Sequence, residues 1–143
     1  MNKEKHDELI RYRIERSREA LEEAIILKRE NHWNACVNRL YYSCFYAISA
    51  LLHTKGLSSS KHSGVKALFN QHWVKTGKIG KDKGRFYNQL FESRQECDYI
   101  DFVKYEREMV EPWISQTSEF IENVATLCKT QEKKQQTFTP PAL

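Results

Sequence analysis

"RLYYSCFYAISALL", residues 39–52, is the stretch whose reading decides the fold. Leu40, Cys44, Ile48 and Leu51 recur at intervals of three and four, the spacing of one helical face and not the alternation of a strand. Trp33 and Val37 carry the stripe backwards, and Tyr41, Phe45 and Leu52 widen it. The spacing predicts a helix from about His32 to Lys55, and a helix apolar on most sides belongs at the centre of the packing. Its remaining face holds Arg39, Tyr42, Tyr46, Ser49 and His53, polar groups that need partners wherever they are buried. Gly56 follows as a left-handed stop.

The flanking segments read the same way. A first helix runs from Asp7, as N-cap, to Glu30, with Ile10, Ile14, Ser17, Leu21, Ala24, Ile25 and the stem of Lys28 inward and Asn31 as its stop. A serine among Ser58, Ser59 and Ser60 caps a third helix reaching about Thr76, with Val65, Leu68, Phe69, His72 and Trp73 inward. Gly64 in its first turn is costly unless something packs closely there. "TGKIGKDKG" (76–84) is a basic loop that lacks the residue order and preceding strand of a phosphate-binding P-loop. A fourth helix over Asp82 to Phe102 buries Phe86, Leu90, Cys97 and Ile100. A fifth, from near Glu106 to about Lys129, turns Met109, Trp113, Phe120, Ile121, Val124 and Leu127 inward, with Pro112 either kinking it or marking its first turn. The expectation is an all-α, up-down four-helix bundle with an additional or kinked fifth helix over residues 1–130, and a disordered polar tail over 131–143.

Composition narrows the classes. A chain of 143 residues, 40% hydrophobic and 29% charged, fits one soluble globular domain. The apolar runs are too short to span a bilayer, and the charged start "MNKEKHDELIRYRIERSREA" lacks the apolar core of a signal peptide, so a cytoplasmic protein is expected. Cys36, Cys44, Cys97 and Cys128 form no close pair and no Cys/His cluster, so they read as small apolar residues, with no metal and no cofactor expected. The net charge of +4 is unevenly spread: residues 55–87 hold eight lysines and arginines against one acid, Asp82. Such a field suits RNA, a nucleotide or an acidic partner, and also fits a plain solvated surface.

Two clusters carry candidate chemistry. Arg39 among Tyr42 and Tyr46 suits a phosphate or carboxylate with rings stacked alongside; equally, it suits a structural arginine paired with an acid such as Asp98. In "SRQECDYID" (93–101), Arg94 and Asp98 are one helical turn apart and can pair, as a surface ion pair or as a half-buried one beside Leu90 and Cys97.

The blocks "RLYYSCFYAISALL" (39–52), "KHSGVKALF" (61–69) and "SRQECDYID" (93–101), in this order, resemble the HEPN family of small prokaryotic single-domain proteins over roughly residues 7–127. The resemblance implies an all-α bundle that dimerises, is paired with a minimal nucleotidyltransferase in a toxin–antitoxin arrangement, and binds nucleotide or RNA. Active members are metal-independent ribonucleases in which an arginine is followed, after four to six residues, by a histidine acting as general acid or base. Here Arg94 matches the arginine, but Tyr99 stands where histidine is wanted, and no histidine of the chain follows any arginine at that spacing. A tyrosine near pKa 10 shuttles protons poorly at neutral pH. The expectation is therefore a non-catalytic or weakly active partner, with Arg39, Tyr42, Tyr46, Lys61 and His62 contacting nucleotide or RNA. The alternative is a ribonuclease toxin with a divergent Arg-x4-Tyr site of Arg94, Asp98 and Tyr99 at a dimer interface, with His62 either supplying an imidazole or only bonding nearby backbone.

Overall fold

A computed structural model describes residues 2–137, with side-chain surroundings through residue 130. The helices are α1 (Lys3–Arg29), α2 (Trp33–Thr54), α3 (His62–Phe69), α4 (Lys81–Tyr99) and α5 (Arg107–Thr137); α3 continues into a π-helical turn, Asn70–Val74. No strand occurs among the described residues. The all-α bundle is as expected, with α2 packed against α1, α3, α4 and α5. Leu40, Cys44, Ile48 and Leu51 are all fully buried. Among the described residues, no helix is long and apolar enough to cross a membrane.

Local chemistry explains where the helices begin and end. α1 starts earlier than Asp7, because Asn2 Oδ1 accepts from the Lys5 N–H at 2.9 Å and caps the first turn there. It ends on Asn31 in the left-handed region (φ 61), with the Asn31 N–H bonded to Lys28 O at 3.0 Å and the His32 N–H to Leu27 O at 2.9 Å. The same device closes α2 at Gly56 (φ 69), whose N–H bonds His53 O while that of Leu57 bonds Leu52 O. α3 corrects the serine-cap expectation. Its N-cap is Lys61, no side chain caps it, and Ser59 Oγ instead accepts from the Lys61 N–H at 3.2 Å. Gly64 is explained by close approach: a Cβ there would lie 2.8 Å from Ser59 Cβ.

Two inward faces differ from the expected stripes. On α4, Tyr87, Phe91 and Arg94 are buried, Phe86 and Cys97 only half so, and Ile100 is 55% exposed. The physical reason is Tyr41 of α2: Tyr87 stacks on it at 5.8 Å and Phe91 meets it edge-on at 6.0 Å, so aromatic packing turns that face inward. α4 also ends at Tyr99, leaving Ile100 in extended backbone outside the helix. On α5, Val110 and Thr117 are buried while Met109 is exposed. Pro112 lies inside α5, neither opening it nor ending it. The helix runs through Thr137, past the expected boundary at 130, and residues 138–143 lie outside those described.

Candidate functional site

The bundle brings Arg94 of α4 against the polar face of α2 and the start of α3. Arg94 is only 8% exposed. Its guanidinium lies 4.8 Å from the Tyr41 ring centre and 5.6 Å from that of Tyr42, and Nη1 donates to the Tyr42 hydroxyl at 3.1 Å. Asp98, one turn on, is its carboxylate partner, but at 3.7 Å, longer than a strong charged hydrogen bond. Arg94 Nε is buried with no hydrogen-bond partner. The half-buried reading of this pair holds.

Arg39 addresses Tyr42 as well, at 4.9 Å, so one tyrosine ring serves two guanidinium groups. The acid of Arg39 is Glu23 of α1 at 3.7 Å and not Asp98, although Arg39 and Asp98 line the same open hollow between α2 and α4. Arg39 also donates to Asn38 Oδ1. Tyr46 joins through Tyr42, their rings 5.9 Å apart, and carries the guanidinium of Arg16 on its own face at 5.1 Å.

His62 is placed within this cluster, 21 residues from its partner in sequence. Its ring stacks on Phe45 at 4.4 Å, and Nδ1 lies 2.7 Å from the Tyr41 hydroxyl. The proton positions follow from accounting for donors. Burial pushes the Tyr41 phenol up to about 12, so it keeps its proton, and burial likewise holds Tyr87 protonated. Tyr87 donates to the Tyr41 oxygen at 3.5 Å, and the Tyr41 proton then finds its acceptor in His62 Nδ1. Burial, with Arg94 adding to it, lowers the His62 pKa, which keeps the imidazole neutral near pH 7. In that tautomer the second nitrogen carries the hydrogen and is a donor, without the free lone pair that a general base needs.

The remaining candidates are less involved. Lys61 is exposed as the N-cap of α3. Lys66, which sequence reading did not single out, sets its ammonium 4.3 Å from the Phe91 ring centre; its place one turn into α3 was the available signal. Tyr99 is 75% exposed and lines a shallow hollow with Glu92, Gln95, Glu96 and Ile100. Among the described residues, no group of three His, Cys, Asp or Glu is arranged to hold a metal.

The HEPN domain matches residues 10–129, most of the chain and all the elements described above except the ends of α1 and α5. The chain belongs to the HEPN domain family. It is similar to a UPF0332 protein of Thermotoga maritima, 46% identical over 121 residues, which cover 85% of this chain and 92% of that one. It is also similar to two proteins of Methanocaldococcus jannaschii, each named a putative toxin. One is 33% identical over 98 residues, covering 68% of this chain and 67% of its own length; the other is 32% identical over 129, covering 90% and 95%. In this HEPN domain the arginine of "SRQECDYID" faces the α2 aromatics, and Tyr99, at the position where the ribonuclease pattern wants histidine, is exposed.

Proposed function

We propose that this HEPN protein is a binding module of a toxin–antitoxin-type pair, working as a homodimer beside a minimal nucleotidyltransferase and binding RNA or nucleotide phosphate at the Arg94 cluster. The observation that carries the reading is the buried guanidinium of Arg94, held between tyrosine rings with an unpartnered Nε and a carboxylate no closer than 3.7 Å. An arginine so loosely matched in a water-poor setting gains from an anion that approaches closely. Arg39 and Lys66 add positive charge on the same tyrosine and phenylalanine rings, and the Nε2–H of His62 adds a neutral donor. The relatives named as putative toxins support the toxin–antitoxin setting.

The same geometry weighs against the ribonuclease alternative built on Arg94, Asp98 and Tyr99. Proton transfer from a ribose 2′-hydroxyl needs a base with a free lone pair. His62 spends its own on Tyr41, and Tyr99 is three-quarters exposed. The test is to express the chain alone, with Arg94→Ala as control, and follow growth and RNA integrity. Intact RNA together with Arg94-dependent RNA binding is the expected result. Cleavage that vanishes in Arg94→Ala would overturn the binding-module reading in favour of a nuclease.

A further inference from the structure

A second feature borders Phe45, the ring on which His62 stacks. Arg13 of α1 reaches across α2 and donates to Ser49 O at 3.3 Å. It lines a hollow of about 220 Å³ with Phe45, Tyr46, Ser49, Ser58 and Ser59, over a floor of Leu52, Leu57 and Val65, and no carboxylate is among the lining residues. Of the buried and half-buried arginines, Arg16, Arg39 and Arg94 each have an acid within ion-pair distance: Glu19 at 2.7 Å, Glu23 at 3.7 Å and Asp98 at 3.7 Å. Arg13 is the exception among the described residues, and burial alone pulls its pKa below the ordinary value.

The start of α3 supplies the second, independent observation. No side chain caps this helix, and its first internal bond is from the Val65 N–H to Lys61 O. The N–H groups of residues 62–64 are therefore left for an outside acceptor. Ser59 and Val65 both line the hollow, and Gly64 packs against Ser59, so this helix start borders the same space as Arg13.

We propose that the hollow between α1, α2 and the start of α3 is a second phosphate subsite, with Arg13 as its cation and the hydroxyls of Tyr46, Ser58 and Ser59 as its donors. It takes a phosphate of the same ligand whose other phosphate meets Arg94, because Phe45, which lines this hollow, stacks on His62 of the Arg94 cluster. This rests on the reading of the Arg94 cluster as an anion site, so the two must be tested separately.

The experiment uses the full chain and three probes: inorganic phosphate, ATP and a short fluorescein-labelled oligouridylate. By NMR, phosphate should shift the Arg13 side-chain Nε–H and the backbone amides of residues 62–64, and Arg13→Gln should remove those shifts while leaving the Arg94 Nε–H response. By anisotropy, Arg13→Gln should weaken oligouridylate binding about tenfold and lower the slope of log affinity against log salt by about one, as loss of one phosphate contact requires. Arg13→Lys, which keeps the charge, should retain most of the binding, and unchanged melting of both variants excludes misfolding as the cause. Competition by ATP that weakens with Arg13→Gln assigns the phosphates to a nucleotide; competition indifferent to Arg13 assigns them to RNA. Arg13→Gln with wild-type affinity and slope, and Arg13 resonances unmoved by phosphate, would overturn the subsite even if Arg94→Gln abolishes binding. The converse result, loss with Arg13→Gln but none with Arg94→Gln, would leave this subsite standing and remove the reading of the Arg94 cluster.

Discussion

Two imidazoles give the residue scale a pH signature. Burial, chiefly, holds the pKa of both His62 and His53 below that of a free imidazole, with Arg94 acting on the first and His6 and Arg13 on the second. A histidine with a depressed folded pKa binds fewer protons folded than unfolded, so its contribution is complete above the unfolded pKa, about 6.5, and drains away as the pH falls through the folded one. The melting temperature should therefore fall between pH 7 and pH 5, and the double variant His53→Asn, His62→Asn should flatten that decline in pH-resolved calorimetry. The hydroxyl of Tyr41 is the second prediction at this scale. It links His62 Nδ1 and Tyr87, so Tyr41→Phe should cost about 1 kcal/mol in urea unfolding, in line with the net worth of a buried hydrogen bond. The pairing of Arg94 with Asp98 was legible in the sequence, because one helical turn fixes it. The place of His62 was not, because a contact made 21 positions away in sequence leaves no local mark.

At the scale of the element, α3 shows how a local rule yields to packing. Alanine ordinarily favours a helix over glycine by about 1 kcal/mol. At residue 64 the sign should reverse: the added methyl runs into Ser59 Cβ at 2.8 Å, and Gly64→Ala should destabilise by about 1–3 kcal/mol, the range for overpacking. Chemical denaturation of Gly64→Ala and of the relieved double variant Ser59→Gly, Gly64→Ala measures this, with the double variant recovering part of the loss. The end of α2 at Gly56 and the warning attached to Gly64 were readable from sequence, since each depends on backbone chemistry close at hand. The inward face of α4 was not. Arg94 could be read as half-buried beside Leu90, but Tyr87 and Phe91 were not expected inside, and Tyr41 on another helix is what turns their face inward in place of Ile100. The start of α1 was missed for a similar reason: Asn2 and Asp7 are both acceptable caps, and the chain uses the one that gives the longer helix.

For the whole molecule, the sequence of α2 was enough to foresee the all-α bundle, because a helix buried on so many sides needs helices around it. Truncation at its centre should be correspondingly costly. Leu40→Ala removes a fully buried side chain and should lower stability by about 2–5 kcal/mol, measured by urea unfolding. The proposed anion surface depends on that same central helix, which places Tyr41, Tyr42 and Phe45 so that Arg94, His62 and Arg39 gather around them. Charge counting along the chain pointed to the positive stretch 55–87, but two of the cations around the aromatic face, Arg39 and Arg94, lie outside it, brought in by α2 and α4. The most direct test of that assembly is the affinity of the purified full chain for a labelled single-stranded RNA, measured beside Arg94→Gln, with the integrity of the RNA checked in the same samples. Binding of intact RNA should weaken at least tenfold in the variant; equal binding by the two proteins, or cleavage of the RNA by the wild-type chain, would rule out an Arg94-centred binding module.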